Sequence, residues 1–179
     1  YIAIHPFLSH STQWCGKDII HLDFIDELNV NTREREVDRP KGIYIIKEAS
    51  GEDKDAEEYL HMLMYVLRRY DDLYDQDSPV TREAVLEVIE TLFLKIPTNA
   101  FYIRHQDVLM SQHLSMWNAW MASNKWEDGD DTEKIYSHVW RYTVHEVFPV
   151  VALLTQGFGK MKKVSNEIRQ LFKTNLGEE

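Results

Sequence analysis

The stretch Met110-SQHLSMWNAWMASNKWEDGDDTEKIYSHVWRYTV-His145 decides how this chain folds. In its first half Met110, Leu114, Trp117 and Met121 recur at i, i+4, i+7 and i+11, the spacing of one helix face. This predicts a long helix capped by Thr98 and running to about Ser123, with those four side chains as its buried seam. Asn124 to Gly129 is polar and turn-like. Asp130 or Thr132 then caps a fourth helix through Tyr136, Val139, Trp140, Val144 and Val147, ending near Gly157 or Gly159. Pro149 lies inside that helix and clashes with the carbonyl of His145, so a kink is expected there. Two helices joined by so short a turn fold back on each other, and an antiparallel hairpin follows.

Working outward toward the N-terminus, Leu60, Leu63, Met64 and Leu67 repeat at helical spacing from Asp55 to about Tyr74. Tyr59, Val66, Tyr70 and Leu73 widen this stripe, as expected of a helix packed on more than one side. After the Ser78-Pro79 break, Val85, Ile89, Leu92 and Ile96 mark another helix that stops before Pro97. Toward the C-terminus, Ser165 caps a short helix carrying Ile168, Leu171 and Phe172. Upstream of Ser50-Gly51 the pattern changes. Gly42-Ile-Tyr-Ile-Ile-Lys47 reads as a strand, with Asp18 to Phe24 and Tyr1 to Ile4 as possible companions, although Asp23 to Leu28 equally suits a helical turn. The expected fold is therefore mainly α: an antiparallel helical bundle over 51–179 with a small N-terminal β element in 1–50, together one domain of 179 residues.

Composition bounds the function. Hydrophobic residues at 44% and charged residues at 28% belong to a folding chain and not to a disordered one. A net charge of -10 disfavours a phosphate backbone as partner. No apolar run approaches the roughly 20 residues that span a bilayer, and Tyr1 to His10 lack the features of a signal peptide. With Cys15 as the single cysteine no internal disulfide forms, so a reducing, cytoplasmic setting is expected. Acid is concentrated in Glu52 to Asp77, whereas Lys160, Lys162, Lys163, Arg169 and Lys173 make the C-terminal stretch basic. That asymmetry suits self-association or a protein partner.

Candidate chemistry centres on His138, Tyr142 and His145. Residues seven apart on a helix share a face to within about 20°. Counting back through the hairpin places His113 opposite Arg141 and Tyr142, so three histidines would converge beside the Pro149 kink, a setting for a divalent metal or a general base. Packing is the commoner role for histidines on aromatic-rich helices. Glu58-Tyr-Leu-His61 has the Glu-x-x-His spacing of di-iron bundles, but the second copy such a site needs is missing, and an ion pair of His61 with Glu57 or Glu58 accounts for it more simply. Asp71-Asp72-Leu-Tyr-Asp75 resembles the aspartate-rich motif of isoprenoid synthases, which would make Asp71 and Asp75 magnesium ligands. The second metal motif of that family is absent, so an acidic helix end is the better reading. Cys15, with His5, His10 and His21 nearby in sequence, invites a thiol nucleophile, yet its flanks match no protease signature, which favours a buried or incidental thiol.

No catalytic set is complete, while Trp117, Trp120 and Trp126 give one hairpin more aromatic surface than a small core absorbs. The leading expectation is a non-enzymatic interaction or assembly protein without cofactor, a possible homo-oligomer with those tryptophans at its interface. The alternative is a small metal-assisted hydrolase or transferase using His113, His138 and His145, joined by Asp71 and Asp75. Trp117-Asn-Ala-Trp120 and Val164-Ser-Asn-Glu-Ile-Arg-Gln-Leu-Phe172 resemble small uncharacterised helical proteins of bacteriophages and prophages. The resemblance covers about the C-terminal half and implies an accessory, assembly or host-modulating role in the host cytoplasm.

Overall fold

The computed structural model describes residues 38–76 and 79–171, with side chains from 41 onward, and all of them fall within the unit Glu34–Glu179. The described part is mainly α. Helices α1 (Asp38–Ser50), α2 (Lys54–Asp75) and α3 (Arg82–Glu90) are followed by a π-helical turn, Thr91–Lys95, and the short α4 (Ile96–Thr98). Then come α5 (Ala100–Arg104), α6 (Gln106–Trp126), α7 (Asp131–Arg141), a 3-10 segment Tyr142–Glu146, α8 (Val147–Gln156) and α9 (Phe158–Leu171). The candidate strands at Tyr1 to Ile4 and Asp18 to Phe24, the turn at Asp23 to Leu28, and Cys15 with His5, His10 and His21 lie outside the described residues.

The strand expected at Gly42 to Lys47 is instead the body of α1. Ile45, Ile46 and Ala49 are buried on one helical face, while Ile43 and Tyr44 are exposed. β-Branched residues lose only tenths of a kcal/mol in a helix, against roughly 1.5–3 kcal/mol gained for each large aliphatic side chain buried. Packing against α2, α8 and α9 therefore overrides local preference. Ser50-Gly51 is thus a turn inside the helical unit and does not divide a β region from a bundle.

The core is built by α1, α2, α8 and α9 together with Phe101, Tyr102 and Leu109. Ile45, Tyr59, Leu60, Val147, Val151 and Val164 are sealed from solvent at its centre. Helix α8 is apolar nearly all round because it lies between α1 and α9. Its C-terminal end closes α1. Thr155 Oγ1 donates to the Ala49 carbonyl at 2.9 Å and Gln156 Nε2 donates to the carbonyls of Glu48 and Ala49 at 3.0 and 3.1 Å, satisfying acceptors that a helix terminus leaves open. Lys160 and Lys163 both donate to the Glu48 carboxylate, at 2.7 and 3.1 Å, and hold its pKa below the ordinary carboxylate value. Arg169 reaches Glu146. Much of the C-terminal basic charge is thus matched within the chain.

Several boundaries differ from the sequence reading. Pro79 does not open α3; Thr81 caps it, with its hydroxyl accepting from the Ala84 amide at 3.1 Å. Thr98 is not the next cap, because its hydroxyl donates back to the Leu94 carbonyl at 2.6 Å. Asn99 takes that role, accepting from the Tyr102 amide and donating to the Asp55 carbonyl, each at 3.0 Å. The helix expected from 98 to 123 is broken at His105, whose φ of -126° leaves the helical range. The fourth helix is divided by the 3-10 segment, which lies just ahead of Pro149, the third residue of α8, and includes the His145 carbonyl that the proline ring would crowd. Ser165 lies inside α9 and caps nothing.

Gly51 ends α1 at φ +59°, with its amide donating to the Lys47 carbonyl at 3.0 Å. A Cβ there would be strained by the left-handed backbone and would press on the Gln156 side chain. Gly51→Ala is expected to lower unfolding free energy by about 1–2 kcal/mol, read as a fall in the denaturation midpoint.

Candidate functional site

Helix α6 carries apolar side chains on two faces, and the fold buries only one of them. Leu109, Met116 and Ser123 are buried. Met110, Leu114, Trp117 and Met121, expected as the buried seam, are instead 43%, 64%, 46% and 48% exposed. The seam is rotated by about one residue, or 100°.

The rotation is set by His113, which points into the cleft with Tyr59 of α2 and Tyr102 of α5. Its Nε2 lies 2.7 Å from the Tyr59 hydroxyl, and its ring stacks on Tyr59 and Tyr102 at centroid distances of 6.0 and 5.9 Å. Burial pushes the Tyr59 phenol up and the His113 imidazolium down. Both groups are therefore neutral, and because the buried hydroxyl has no other acceptor among the described residues, it donates to Nε2 and the ring carries its proton on Nδ1. Farther along α2, Tyr70 meets Trp117 and Trp120 edge-on at 5.0 and 5.2 Å, and Tyr74 meets Trp120 at 5.0 Å. Large rings thus bridge α2 and α6.

Helix α7 and the 3-10 segment after it fold back on α6. Asp130 and Glu133 form a reciprocal capping box at its start. The buried Ser137 hydroxyl donates to the Ser123 carbonyl at 2.8 Å, and Trp126 packs on Trp140 at 4.5 Å. Arg141 donates to Glu127. Of the tryptophans considered for an interface, Trp117 is exposed, Trp120 is half-buried against the tyrosines of α2, and Trp126 is half-buried at the α6–α7 corner.

The stripe His138, Tyr142, His145 forms as spaced, with successive ring centroids 5.4 and 5.3 Å apart. Burial lowers the His145 pKa to about 4. His113 belongs to a different cluster. Ser123 meets Ser137 and Trp126 meets Trp140, so the register of the hairpin is displaced from the count that sets His113 opposite Tyr142. Near the end of α2, Asp72 is buried and paired with Arg68 and Arg69 at 3.6 and 3.2 Å, leaving Asp71 half-buried and Asp75 exposed. Among the described residues, no three histidine, cysteine or carboxylate side chains are grouped to hold a metal ion. None of the described helices is long and apolar enough to cross a membrane.

The structure carries a second apolar surface that the sequence reading does not single out. Leu86, Ile89 and Phe93 are 59%, 46% and 73% exposed on α3 and the π turn. That turn adds a residue to the helical repeat, so Val88, Thr91 and Ile96 face inward in place of Ile89 and Leu92. The i, i+3, i+7 spacing of the exposed three is the available signal. Comparison with protein-family models, with curated proteins and with solved structures finds no match.

Two outcomes are expected. Because His145 stays neutral in the fold but takes up a proton near pH 6.5 when unfolded, stability falls as pH drops from about 6.5 to about 4 and this loss is complete below. Chemical denaturation across that range should show a shallower fall for His145→Gln. Tyr59→Phe removes the donor from the half-buried His113 and costs about 0.5–1.5 kcal/mol, and adding His113→Phe should cost less than the two single changes summed.

Proposed function

We propose that this chain is a non-enzymatic interaction or assembly protein, an acidic bundle of antiparallel helices that works in the cytoplasm and meets a protein partner or itself. The observation supporting it most strongly is the exposed row Met110, Leu114, Trp117, Met121. Its 4-3-4 spacing is that of a helix seam made to pack on another helix, and four large apolar side chains in line on one helix are more than the scattered exposure ordinary surfaces show. The ridge Leu86, Ile89, Phe93 adds to this apolar surface. A metal-assisted hydrolase or transferase is less favoured, because His113, which that reading requires, spends its Nε2 on the Tyr59 hydroxyl. The resemblance of the C-terminal half to small phage and prophage helical proteins fits the same reading, as an accessory, assembly or host-modulating factor in the host cytoplasm.

Photo-cross-linking tests the interaction reading. A photoreactive amino acid at position 114, in chain expressed in its native cells, should give a discrete higher-mass product that the same group at exposed Lys54 does not. Absence of any product from position 114 would contradict the proposal.

A further inference from the structure

Resting on that interaction reading, we infer that the exposed seam of α6 pairs with the same seam of a second copy, antiparallel, about a two-fold axis between Leu114 and Trp117. The sequence of the seam is self-complementary under that operation. Reversal about the axis sets Met110 opposite the partner's Met121 and Leu114 opposite the partner's Trp117, so each rung is filled by two large apolar side chains.

Charge selects the same arrangement. Among residues 106–126 the only formal charges are Asp107 and Lys125, one at each end. They are 18 residues apart, about five full turns, and so lie on one flank of the helix, about 50° from the seam. A two-fold axis perpendicular to two antiparallel helices brings that flank of one copy against the same flank of the other. Asp107 then meets the partner's Lys125, and Lys125 meets the partner's Asp107. A parallel pairing would set this flank against the opposite one, which on α6 carries no formal charge. Both residues are exposed, and neither forms an ion pair among the described residues. Ser111 and Asn118, both small and uncharged, are exposed along that flank. A seam of about three turns is small for an obligate dimer and suits a reversible association.

The test is a charge exchange read by sedimentation across a concentration series. Wild-type chain should show a monomer–dimer equilibrium. Asp107→Lys and Lys125→Asp should each weaken it roughly ten-fold, because each places like charges together at both ends. The double variant should recover the wild-type constant to within about two-fold. Both positions are exposed, so circular dichroism should be unchanged, and Leu114→Asp, also at an exposed position, should leave only monomer. Single variants without effect, or a double variant that stays weak, overturn the antiparallel pairing. A wild-type monomer at every concentration overturns self-association, and the cross-linking at position 114 separates the two proposals. A product of any mass other than twice the chain leaves the interaction reading standing, and no product removes both.

Discussion

The hydrogen bond from Tyr59 to His113, closed over by Tyr102, fixes which way α6 faces. Helix α6 is amphipathic in neither direction, since apolar residues lie on two of its faces, and the hydrophobic effect alone does not choose between them. A half-buried histidine does choose, because its ring nitrogen finds a donor in the core and burial disfavours its charged form. Tyr59 supplies the donor from the centre of the core, where it is fully buried. Once His113 is seated, Leu109 and Met116 turn inward and the 110, 114, 117, 121 row turns out.

The remaining architecture covers that row only at Trp117, whose ring meets Tyr70 edge-on while part of it stays exposed. Helices α1, α8 and α9 complete a core of their own, with α8 enclosed and the end of α1 closed by Thr155 and Gln156. Helix α7 and the 3-10 segment after it pack on α6, with Ser137, Trp140 and Arg141 meeting Ser123, Trp126 and Glu127 near its C-terminal end. On the middle turns of α6 His113 and Trp117 meet rings of α2 and α5, while Met110, Leu114 and Met121 stay exposed. The interaction role proposed for the chain rests on how this burial is divided.

Much of the helical order is legible in the residues themselves. The stripe of α2, the cap at Asp130 and the break ahead of Pro149 depend on local spacing and stereochemistry, which a sequence displays directly. The failures share a cause in tertiary context. Gly42 to Lys47 has the residues of a strand but gains more by burying Ile45 and Ile46 among three helices. After α3 a π turn adds a residue to the repeat, so that Ile96 shares the inward face of Val88 and Thr91, and nothing in Thr91 to Lys95 announces it. The seam of α6 is legible as a seam, but its destination is not. That destination depends on His113 finding its polar partner in Tyr59, 54 residues away. The expected gathering of His113 with His138 and His145 fails for the same reason, because a count through the hairpin does not specify where α7 crosses.

Imidazole nitrogen NMR of His113 as a function of pH tests this account most directly. A neutral ring with its proton on Nδ1 and its Nε2 accepting a hydrogen bond, persisting below the usual histidine range, is the predicted result. An exchangeable ring that protonates near pH 6.5, as a solvent-exposed histidine does, would mean that Tyr59 does not hold α6, and the assignment of its outward face would fall with it.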